Sequence, residues 1–428
     1  MIDIKIIREN PDLVKKNIKK KFQGEKVVLV DKVRKLDEDW RKFKYKEDKL
    51  RSDRNRVSEN INQAMKAKNT KVAKEYIAEA KAIPGKIEKL QIKRKKLEVE
   101  IRKIMYQIPN MIHKSVPVGK DEAKNKTLRK WGKIPKFSFK PKSHADIVEN
   151  LGLVDTERGA KVAGSRFYYL KDDIVLLNYA LQKFTLDFLV KKGYAPIQPP
   201  YMLNKESISG AVSFEYFEEA IYKIDKENLY LIGTSEHALA AMYKDEVLDV
   251  EKPLKYAAVS SCFRKEAGSH GKDTKGIYRI HRFEKVEQFV FCKPEDEDKM
   301  FEEIIKNQEE IFKLLGIPYR IQALCSTEFG GSMSRTYDLE AWFPSQKKYG
   351  ELGSTSSASD YQARKLNTKY LGDKNKRDYV YTLNGTAMTV QRTICCILEN
   401  NQLKDGSIKI PKVLQKYMNG KKKIELKK

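Results

Sequence analysis

The chain has 428 residues, of which 86 are Lys or Arg and 59 are Asp or Glu, so its formal net charge at pH 7 is +27. A hydrophobic content of 40% excludes wholesale disorder, and the length allows two or three domains. No apolar run is long enough to span a membrane, the first residues lack the apolar core of a signal peptide, and the charge favours a polyanionic partner such as nucleic acid over a general enrichment in lysine.

Two heptad repeats dominate the first quarter of the chain. One runs from Val33 to Ala64 with eight of ten seam positions apolar, and the other from Ala73 to Ile104 with nine of ten. Two heptad series joined by a short polar turn predict an antiparallel coiled-coil hairpin. Residues 1–110 also carry 32 Lys and Arg against 17 Asp and Glu, which favours RNA over another protein as the partner of this arm.

Two features should shape this hairpin. Glu47 and Arg94 fall on the seam within one layer of each other, and we expect them to pair because an unpaired charge there is costly. Pro84 followed by Gly85 predicts a bend or an open turn in the second helix.

A segment rich in Pro, Gly and polar residues, 108–122, ends the hairpin and is the predicted linker. The predicted domains are therefore a helical arm at 1–110 and a second domain at 111–428. Strands are predicted at 166–170, 229–232, 254–259, 288–291, 319–323 and 337–343, and helices at 174–192, 235–243, 295–315 and 389–400. Because the strands come in runs, we expect an α+β fold with an antiparallel sheet.

A long hairpin with a Gly-rich polar loop is predicted at 262–288. Arg264 and Arg279 on its two limbs are suited to phosphate oxygens, because a guanidinium offers a planar fork of donors. The chain has no Gly-rich phosphate loop between a strand and a helix, so a nucleotide would have to be bound by side chains. Taken alone, this segment is more often an exposed basic hairpin.

Several motifs together resemble one family. Residues 263–268 with 279–288 resemble motif 2 of the class II aminoacyl-tRNA synthetases, 383–392 with 397–400 resemble motif 3, and 193–200 resemble motif 1. Residues 234–236 are similar to the TxE motif of a serine site, and 351–356 to the element that binds ATP and Mg²⁺. With the N-terminal arm, this combination resembles the seryl-tRNA synthetases.

The resemblance implies a six- or seven-stranded antiparallel sheet flanked by helices, in a homodimer whose contact includes motif 1. It also implies ATP-dependent activation of L-serine to seryl-adenylate and transfer of the seryl group to tRNA(Ser), which the arm would grip. Use of tRNA(Sec) is left open.

The resemblance further implies a role for individual residues. The catalytic group would be Arg264, Arg392 and Glu351. The ATP-binding set would be Arg264, Lys265, Glu266, Arg279, Ile280, Phe283, Glu351, Leu352, Gly353, Ser354 and Arg392. Serine would be bound by Thr234, Ser235, Glu236, Glu287 and Thr386, and Mg²⁺ by Glu351 and Ser354. Gly353 and Ser357 depart from the residues usual in the family.

Two other function classes are compatible with a class II fold. A non-catalytic RNA-binding paralogue would be expected to lack Arg264, Glu351 or Arg392, and all three are present. A carrier-protein ligase would lack the tRNA arm. No Cys and His residues have zinc-site spacing, which favours the standard non-zinc type. The five cysteines form no CxxC pair, so we expect reduced thiols in a cytoplasmic protein.

Overall fold

The computed structural model describes residues 1–212, 214, 218–266, 276–372 and 375–425. The chain divides into two compact units, Ile2–Pro109 and Asn110–Lys428, and Met1 belongs to the second. Within these ranges, no helix combines the length and the apolar character needed to cross a membrane.

The first unit is helical. Its elements are α1 (Ile4–Glu9), α2 (Pro11–Lys20), a 3-10 turn (Gly24–Lys26), α3 (Val27–Lys66) and α4 (Thr70–Met105). The 40 residues of α3 span about 60 Å. Asn69 ends the intervening turn and caps α4 by accepting from the backbone N–H of Val72. The predicted hairpin of two long helices is therefore confirmed.

Apolar side chains from both long helices form the seam. Val57, Ile83 and Ile87 are buried together, and the partly buried residues packed on them are Leu50, Ile61, Tyr76 and Ala80. Leu50 and Ile61 of α3 and Tyr76 and Ile87 of α4 therefore share one apolar seam.

Pro84 does not open a turn, so that alternative was wrong, and a bend at this residue stays a prediction. Helix α4 runs without a break from Thr70 to Met105 with Pro84 inside it. Pro84 and Gly85 are exposed, whereas Ile83 and Ile87 beside them are buried in the seam. The loss of one backbone donor at proline is thus offset by packing on the opposite face of the helix.

Glu47 is the buried charge of the seam, with 1% of the residue exposed. Its carboxylate accepts from Arg94 Nε at 3.0 Å, Arg51 Nη2 at 2.7 Å and Gln91 Nε2 at 3.2 Å. Burial opposes ionisation, but the bonds from Gln91 and Arg94 lower the pKa of Glu47 below its usual value. The predicted pair of Glu47 with Arg94 is confirmed.

Replacing Arg94 with Leu should therefore leave the arm helical but less uniquely registered. We expect the free energy of unfolding of the arm to fall by about 1–3 kcal/mol, because Glu47 loses a charged hydrogen bond and keeps the one from Arg51. Circular dichroism during denaturant unfolding measures the free energy of unfolding. The distance distribution between spin labels on α3 and α4 measures how uniquely the two helices are registered. Lys44→Leu, which breaks an exposed pair with Asp48, is the control and should change neither. An unbroadened distribution in the Arg94 variant would contradict a role in register.

The second unit is mixed. Its helices are α5 (His144–Asn150), α6 (Thr156–Ala163), α7 (Asp173–Lys191), α8 (Lys205–Ala211), α9 (Ser235–Ala241), α10 (Glu297–Leu315), α11 (Tyr361–Leu366), α12 (Val390–Asn400) and α13 (Lys412–Gln415). Short 3-10 turns cover Glu122–Lys124, Glu218–Ala220, Pro294–Asp296 and Lys416–Met418.

The strands of this unit are β1 (Lys126–Trp131), β2 (Val154–Asp155), β3 (Tyr169–Leu170), β4 (Ala195–Ile197), β5 (Met202–Asn204), β6 (Leu229–Leu231), β7 (Val247–Leu248), β8 (Leu254–Phe263), β9 (Arg282–Cys292), β10 (Tyr319–Ala323), β11 (Arg335–Phe343), β12 (Lys348–Ser359), β13 (Lys369–Leu371), β14 (Arg377–Tyr379), β15 (Tyr381–Thr389), β16 (Ile408–Lys409) and β17 (Lys423–Ile424).

Eight of the described strands form the main sheet, in the order β1-β10-β11-β12-β15-β9-β8-β4. All neighbours are antiparallel except β4, which lies parallel to β8 at the edge. The α+β class with an antiparallel sheet is confirmed. The sheet is one or two strands wider than the resemblance implied, and it includes one parallel pair.

Helices cover the sheet through two apolar clusters. One joins α7, α10 and α12 to the central strands, and the other joins α8, α9 and α11 to β8 and β9. A Cβ added to Gly385 on β15 would lie 2.2 Å from Ile304 Cγ2 of α10, so this glycine permits close helix packing. The open part of the sheet lies over β8, β9, β12 and β15, which carry the motif residues.

Candidate active site

A cavity of about 220 Å³ opens over the centre of the main sheet. Its walls come from strands β9, β12 and β15, from the start of α9, from the residues just after β8 and just before β9, and from the first turn of α12, so residues far apart in sequence meet there. Thirteen of the predicted site residues line it: Thr234, Glu236, Arg264, Glu266, Arg279, Ile280, Phe283, Glu287, Glu351, Gly353, Ser354, Thr386 and Arg392.

Three predicted site residues lie outside the lining. Lys265 is exposed, and its ammonium lies 5.9 Å from the ring centre of Tyr222. Leu352 is buried in the main core cluster, at a bulge of β12 where the pairing with β11 shifts by one residue. Ser235 is buried in the first turn of α9, directly after the cavity-lining Thr234.

Arginines of the motif 2 hairpin are fixed by local contacts. Arg264 donates through Nε to the carbonyl of Gly233 at 3.1 Å, and its guanidinium lies 5.3 Å from the ring centre of Phe283. Arg279 pairs with Glu266 at 2.9 Å. Residues 267–275, which include the last two residues of the 263–268 motif and the loop tip, lie outside the described residues.

Arg392 and Glu351 close the other side of the cavity. Their side chains form an ion pair at 3.2 Å, and the Arg392 guanidinium lies 5.0 Å from the ring centre of Tyr278. Tyr278 in turn donates to the backbone carbonyl of Glu351 at 3.2 Å. Removal from water opposes ionisation of Glu351, but the positive charges of Arg392 and Arg264 hold its pKa below the usual value.

A second carboxylate stands behind Glu351. Asp338 on β11 lies directly opposite Ser354 on β12, and its Oδ1 atom is buried without a hydrogen bond from the described residues. Burial and the neighbouring charge of Glu351 raise the pKa of Asp338 well above its usual value. This grouping of oxygen atoms fits a hard divalent cation that is shared with phosphate oxygens. Across the described ranges, this site included, no cluster of three or more His, Cys, Asp or Glu side chains could hold a metal.

The opposite end of the cavity is acidic and deeply buried. Glu236 is 8% exposed and Glu287 is 1% exposed. Burial first, and then the charge of Glu287, raises the pKa of Glu236 to about 7. Burial also raises the pKa of Glu287. Lys285 forms an ion pair with Glu287, and the Thr386 hydroxyl donates to the same carboxylate at 3.4 Å.

Lys285 and Tyr278 are lining residues that the sequence prediction missed. Phe283, Lys285 and Glu287 alternate along β9, so all three side chains face the cavity. In a strand every second side chain faces the same side, so the sequence alone could have placed Lys285 on the same face as Glu287. Tyr278 precedes the strand, and no regular pattern marks it.

Gly353 on strand β12 leaves room for the side chain of Gln308 on helix α10. A Cβ at this position would lie 2.6 Å from Gln308 Nε2 and 2.9 Å from Thr386 Cβ. Gln308 of α10 uses that space to donate to the backbone carbonyl of Thr386 at 2.7 Å. Ser357, the second departure from the family, is buried and donates to Glu297 at 2.6 Å. The neighbours of Gly353 and Ser357 are therefore compatible with the residues found at these two positions.

Comparison with known proteins gives two family matches. Residues 1–112 match the seryl-tRNA synthetase N-terminal domain. Residues 219–401 match the tRNA synthetase class II core domain of the G, H, P, S and T enzymes.

Whole proteins match over their full length. A serine–tRNA ligase of Nitrosopumilus maritimus is 44% identical, covering 99% of this chain and 100% of the relative. The crystal structure of seryl-tRNA synthetase from Pyrococcus horikoshii complexed with ATP is 44% identical, covers 100% of both chains and superposes with a TM-score of 0.93. That of the cytoplasmic enzyme from Naegleria fowleri in complex with AMP is 36% identical, covers 100% of this chain and 99% of the other, and gives 0.88.

Proposed function

Because the chain belongs to the seryl-tRNA synthetase family, we propose that the cavity over its main sheet is where it activates L-serine with ATP and passes the seryl group to tRNA(Ser). One observation carries this assignment. The cavity has a basic end that contains Arg264, Arg279 and Arg392 and an acidic end that contains Glu236 and Glu287. A triphosphate suits the first end, and an ammonium with a hydroxyl suits the second.

ATP fits the basic end through charge and ring contacts. Phe283 and Arg392 would take the two faces of adenine, since a guanidinium over a ring combines stacking with charge. Arg279 and Glu266 would face the phosphates and the nucleotide, and the Ile280 backbone would meet the base. Lys265 lies outside the lining, so its side chain has no part in this scheme.

Arg264 belongs to the basic end and also interacts with the acidic end. It interacts electrostatically with Glu236 and Glu287 on one side and with Glu351 on the other. The serine carboxylate attacks the α-phosphate of ATP, a P–O bond forms to serine, and pyrophosphate leaves. The carboxylate is already a nucleophile, so the site has to align it and neutralise charge, and it needs no general base. Arg264 can contact both the attacking and the attacked group.

Serine fits the acidic end. Glu236 and Thr234 would bind its ammonium, and Glu287 with Thr386 would bind its hydroxyl. Lys285 pairs with Glu287 and so reduces the repulsion between two buried carboxylates. In the second step the terminal ribose hydroxyl of tRNA attacks the seryl carbonyl, and AMP leaves.

Mg²⁺ fits beside Glu351 and Ser354. The buried Oδ1 of Asp338 and the carboxylate of Glu351 supply oxygen atoms of the kind that such a cation prefers as ligands. Glu351 and Ser354 would hold the ion, whose charge would offset that of the phosphates. Glu351 would then exchange part of its pairing with Arg392 for the cation.

The arm is proposed to bind the tRNA, in agreement with the family match over residues 1–112. Lys71, Lys74 and Lys81 are exposed on α4 at spacings that place them on one face of the helix. Contacts there should be mainly with phosphates and should release counterions. Changing all three to Gln should weaken tRNA binding and reduce the slope of log K against log salt concentration by about three. Filter binding or fluorescence anisotropy across a salt series measures this.

The control for that variant removes the same charge from another place. Lys347, Lys348 and Lys404 are exposed in the second unit, and their replacement by Gln should leave the slope nearly unchanged. Equal slopes in both triple variants would mean that the arm does not carry the phosphate contacts.

Three further assignments belong to this proposal. The chain would form a homodimer through the motif 1 region, where Tyr179 and Val190 of α7 are 65% and 45% exposed. It would work in the cytoplasm, in agreement with five free cysteines. The use of tRNA(Sec) as a second acceptor stays open, because no contact among the described residues bears on it.

Exchange of labelled pyrophosphate into ATP, followed by charging of total tRNA, tests the function. We expect exchange that depends on serine and charging that depends on tRNA(Ser). Exchange without charging would indicate a carrier-protein ligase, and binding of tRNA without exchange would indicate a non-catalytic paralogue. Exchange with alanine or glycine but not with serine would overturn the proposed substrate.

A further inference from the structure

Gln362 is a buried residue next to the acidic end of the cavity but outside its lining. It lies on α11 and is 1% exposed. Its Nε2 donates to Glu236 Oε1 at 2.8 Å and to the backbone carbonyl of Ala211 at 2.9 Å. Its Oε1 accepts from the Thr382 hydroxyl at 2.7 Å. One amide therefore joins a substrate-binding carboxylate, the end of α8 and strand β15.

The chemistry of these partners permits one orientation of the amide. The Ala211 carbonyl can only accept, and an ionised Glu236 can only accept, so both must face the NH₂ group of Gln362. The Thr382 hydroxyl is able to donate and faces the oxygen. A flipped amide would place oxygen against two acceptors. The network thus fixes Gln362, and Gln362 in turn fixes one oxygen of Glu236.

The end of α8 is held by the same helix. Lys365, one turn after Gln362, donates to the backbone carbonyls of Ser209 at 3.1 Å and of Val212 at 3.0 Å. Ser209 and Ala211 lie in the last turn of α8 and Val212 directly follows it, where carbonyls have no acceptor role left inside the helix. Helix α11 therefore provides a rigid base for Gln362.

Glu236 needs this support because its surroundings act against its charge. Burial and Glu287 raise its pKa, whereas Lys285, the bond from Gln362 and Arg264 lower it. A hydrogen bond to the charged form favours ionisation and also selects a rotamer. An ammonium requires a carboxylate that is both ionised and correctly turned.

We propose that Gln362 is a positioning residue for serine, which holds the Glu236 carboxylate in the orientation that receives the substrate ammonium. This inference rests on the proposed function, because it takes Glu236 as the ammonium site. Gln362 acts through Glu236 and does not touch the substrate.

Gln362→Met tests the proposal, since methionine keeps the volume and removes the donors. We expect the KM for serine in pyrophosphate exchange to rise about 10- to 100-fold, which is the range for losing a hydrogen bond to a charged group. The KM for ATP should change less than about twofold, because the basic end is untouched. The pH at which kcat/KM for serine reaches half its maximum should move upward, because Glu236 loses a bond that favours its ionised form.

Gln288→Met is the matched control. Gln288 is also fully buried, donates to a backbone carbonyl, that of Ile304 at 3.2 Å, and accepts from a side chain, that of Asn307 at 2.8 Å. It makes no bond to Glu236, so its variant should share any loss of stability and keep the wild-type KM for serine and pH profile. An equal rise of the serine KM in both variants would overturn the proposal in favour of a general packing defect.

Thr382 supplies a milder test if Gln362→Met fails to fold. Thr382→Val removes the donor that orients the amide, and Thr382→Ser keeps it. The KM for serine should rise in the first variant and stay near wild type in the second. Unchanged kinetics in both Gln362→Met and Thr382→Val, with an active wild-type enzyme, would overturn the role of Gln362. A wild-type protein without serine-dependent exchange would instead overturn the proposed function.

Discussion

Arg264→Gln should lower serine-dependent pyrophosphate exchange about 100- to 1,000-fold, which is the usual cost of losing one donor aimed at developing charge. The proposed position of Arg264 between the serine carboxylate and the α-phosphate means that both reactants lose a common partner. The loss should fall on kcat as much as on kcat/KM, because charge builds up most in the transition state. Steady-state exchange measured over serine and ATP concentrations separates the two.

Two related variants sharpen this result. Arg264→Lys keeps the charge but lacks the planar fork, so we expect an intermediate loss. Arg282→Gln removes a nearby arginine of the same hairpin that is 53% exposed at its side chain, pairs with Glu284 and does not line the cavity. Its activity should stay within about threefold of wild type. An Arg264→Gln enzyme as active as this control would remove Arg264 from the mechanism.

The arm was the part of the fold that the sequence predicted best. Its helices are long, so a heptad pattern with one or two exceptions still identifies the seam. The exception at Glu47 proved informative, because its charge is satisfied by three partners. Pro84 was misjudged because local propensity was weighed without the packing of Ile83 and Ile87 on the other side of the helix.

The sheet was predicted less completely. Strand β10 (Tyr319–Ala323) has the predicted bounds, because its apolar residues alternate with Arg320 and Gln322. Strands β12 and β15 were not predicted, since Ser, Thr and Gly make up much of both and break the apolar alternation. Polar residues occupy these strands because they face the cavity.

The site residues show where a motif stops being informative. A motif names consecutive residues, but a strand turns alternate side chains to opposite faces. Leu352, at the bulge of β12 between Glu351 and Gly353, is a core residue. Lys285 was missed for the converse reason, since it has no role in the motif but shares a face with Glu287. Gln362 lies far from every motif, and only the folded chain brings it to Glu236.

Glu287→Ala should abolish the preference for serine over alanine. In the proposed site the buried Glu287 carboxylate accepts the serine hydroxyl, and bound alanine would leave that acceptor unpaired. A site built to bond a hydroxyl rejects the analogue without it by about 10⁴- to 10⁵-fold, whereas an apolar pocket discriminates about 10- to 200-fold. The ratio of kcat/KM for serine to that for alanine should therefore fall by two or more orders of magnitude, together with the rate for serine.

Removing Glu287 alone also leaves Lys285 buried without its ion-pair partner, which costs stability. The double variant Glu287→Ala with Lys285→Met removes both charges and separates this effect from selectivity. Glu287→Gln keeps an acceptor at the same place and should retain part of the preference for serine. Discrimination against threonine depends on the size of the cavity and should persist in Glu287→Gln. If either alanine variant keeps the wild-type ratio of serine to alanine, the hydroxyl is bound elsewhere and the assignment of Glu287 is wrong.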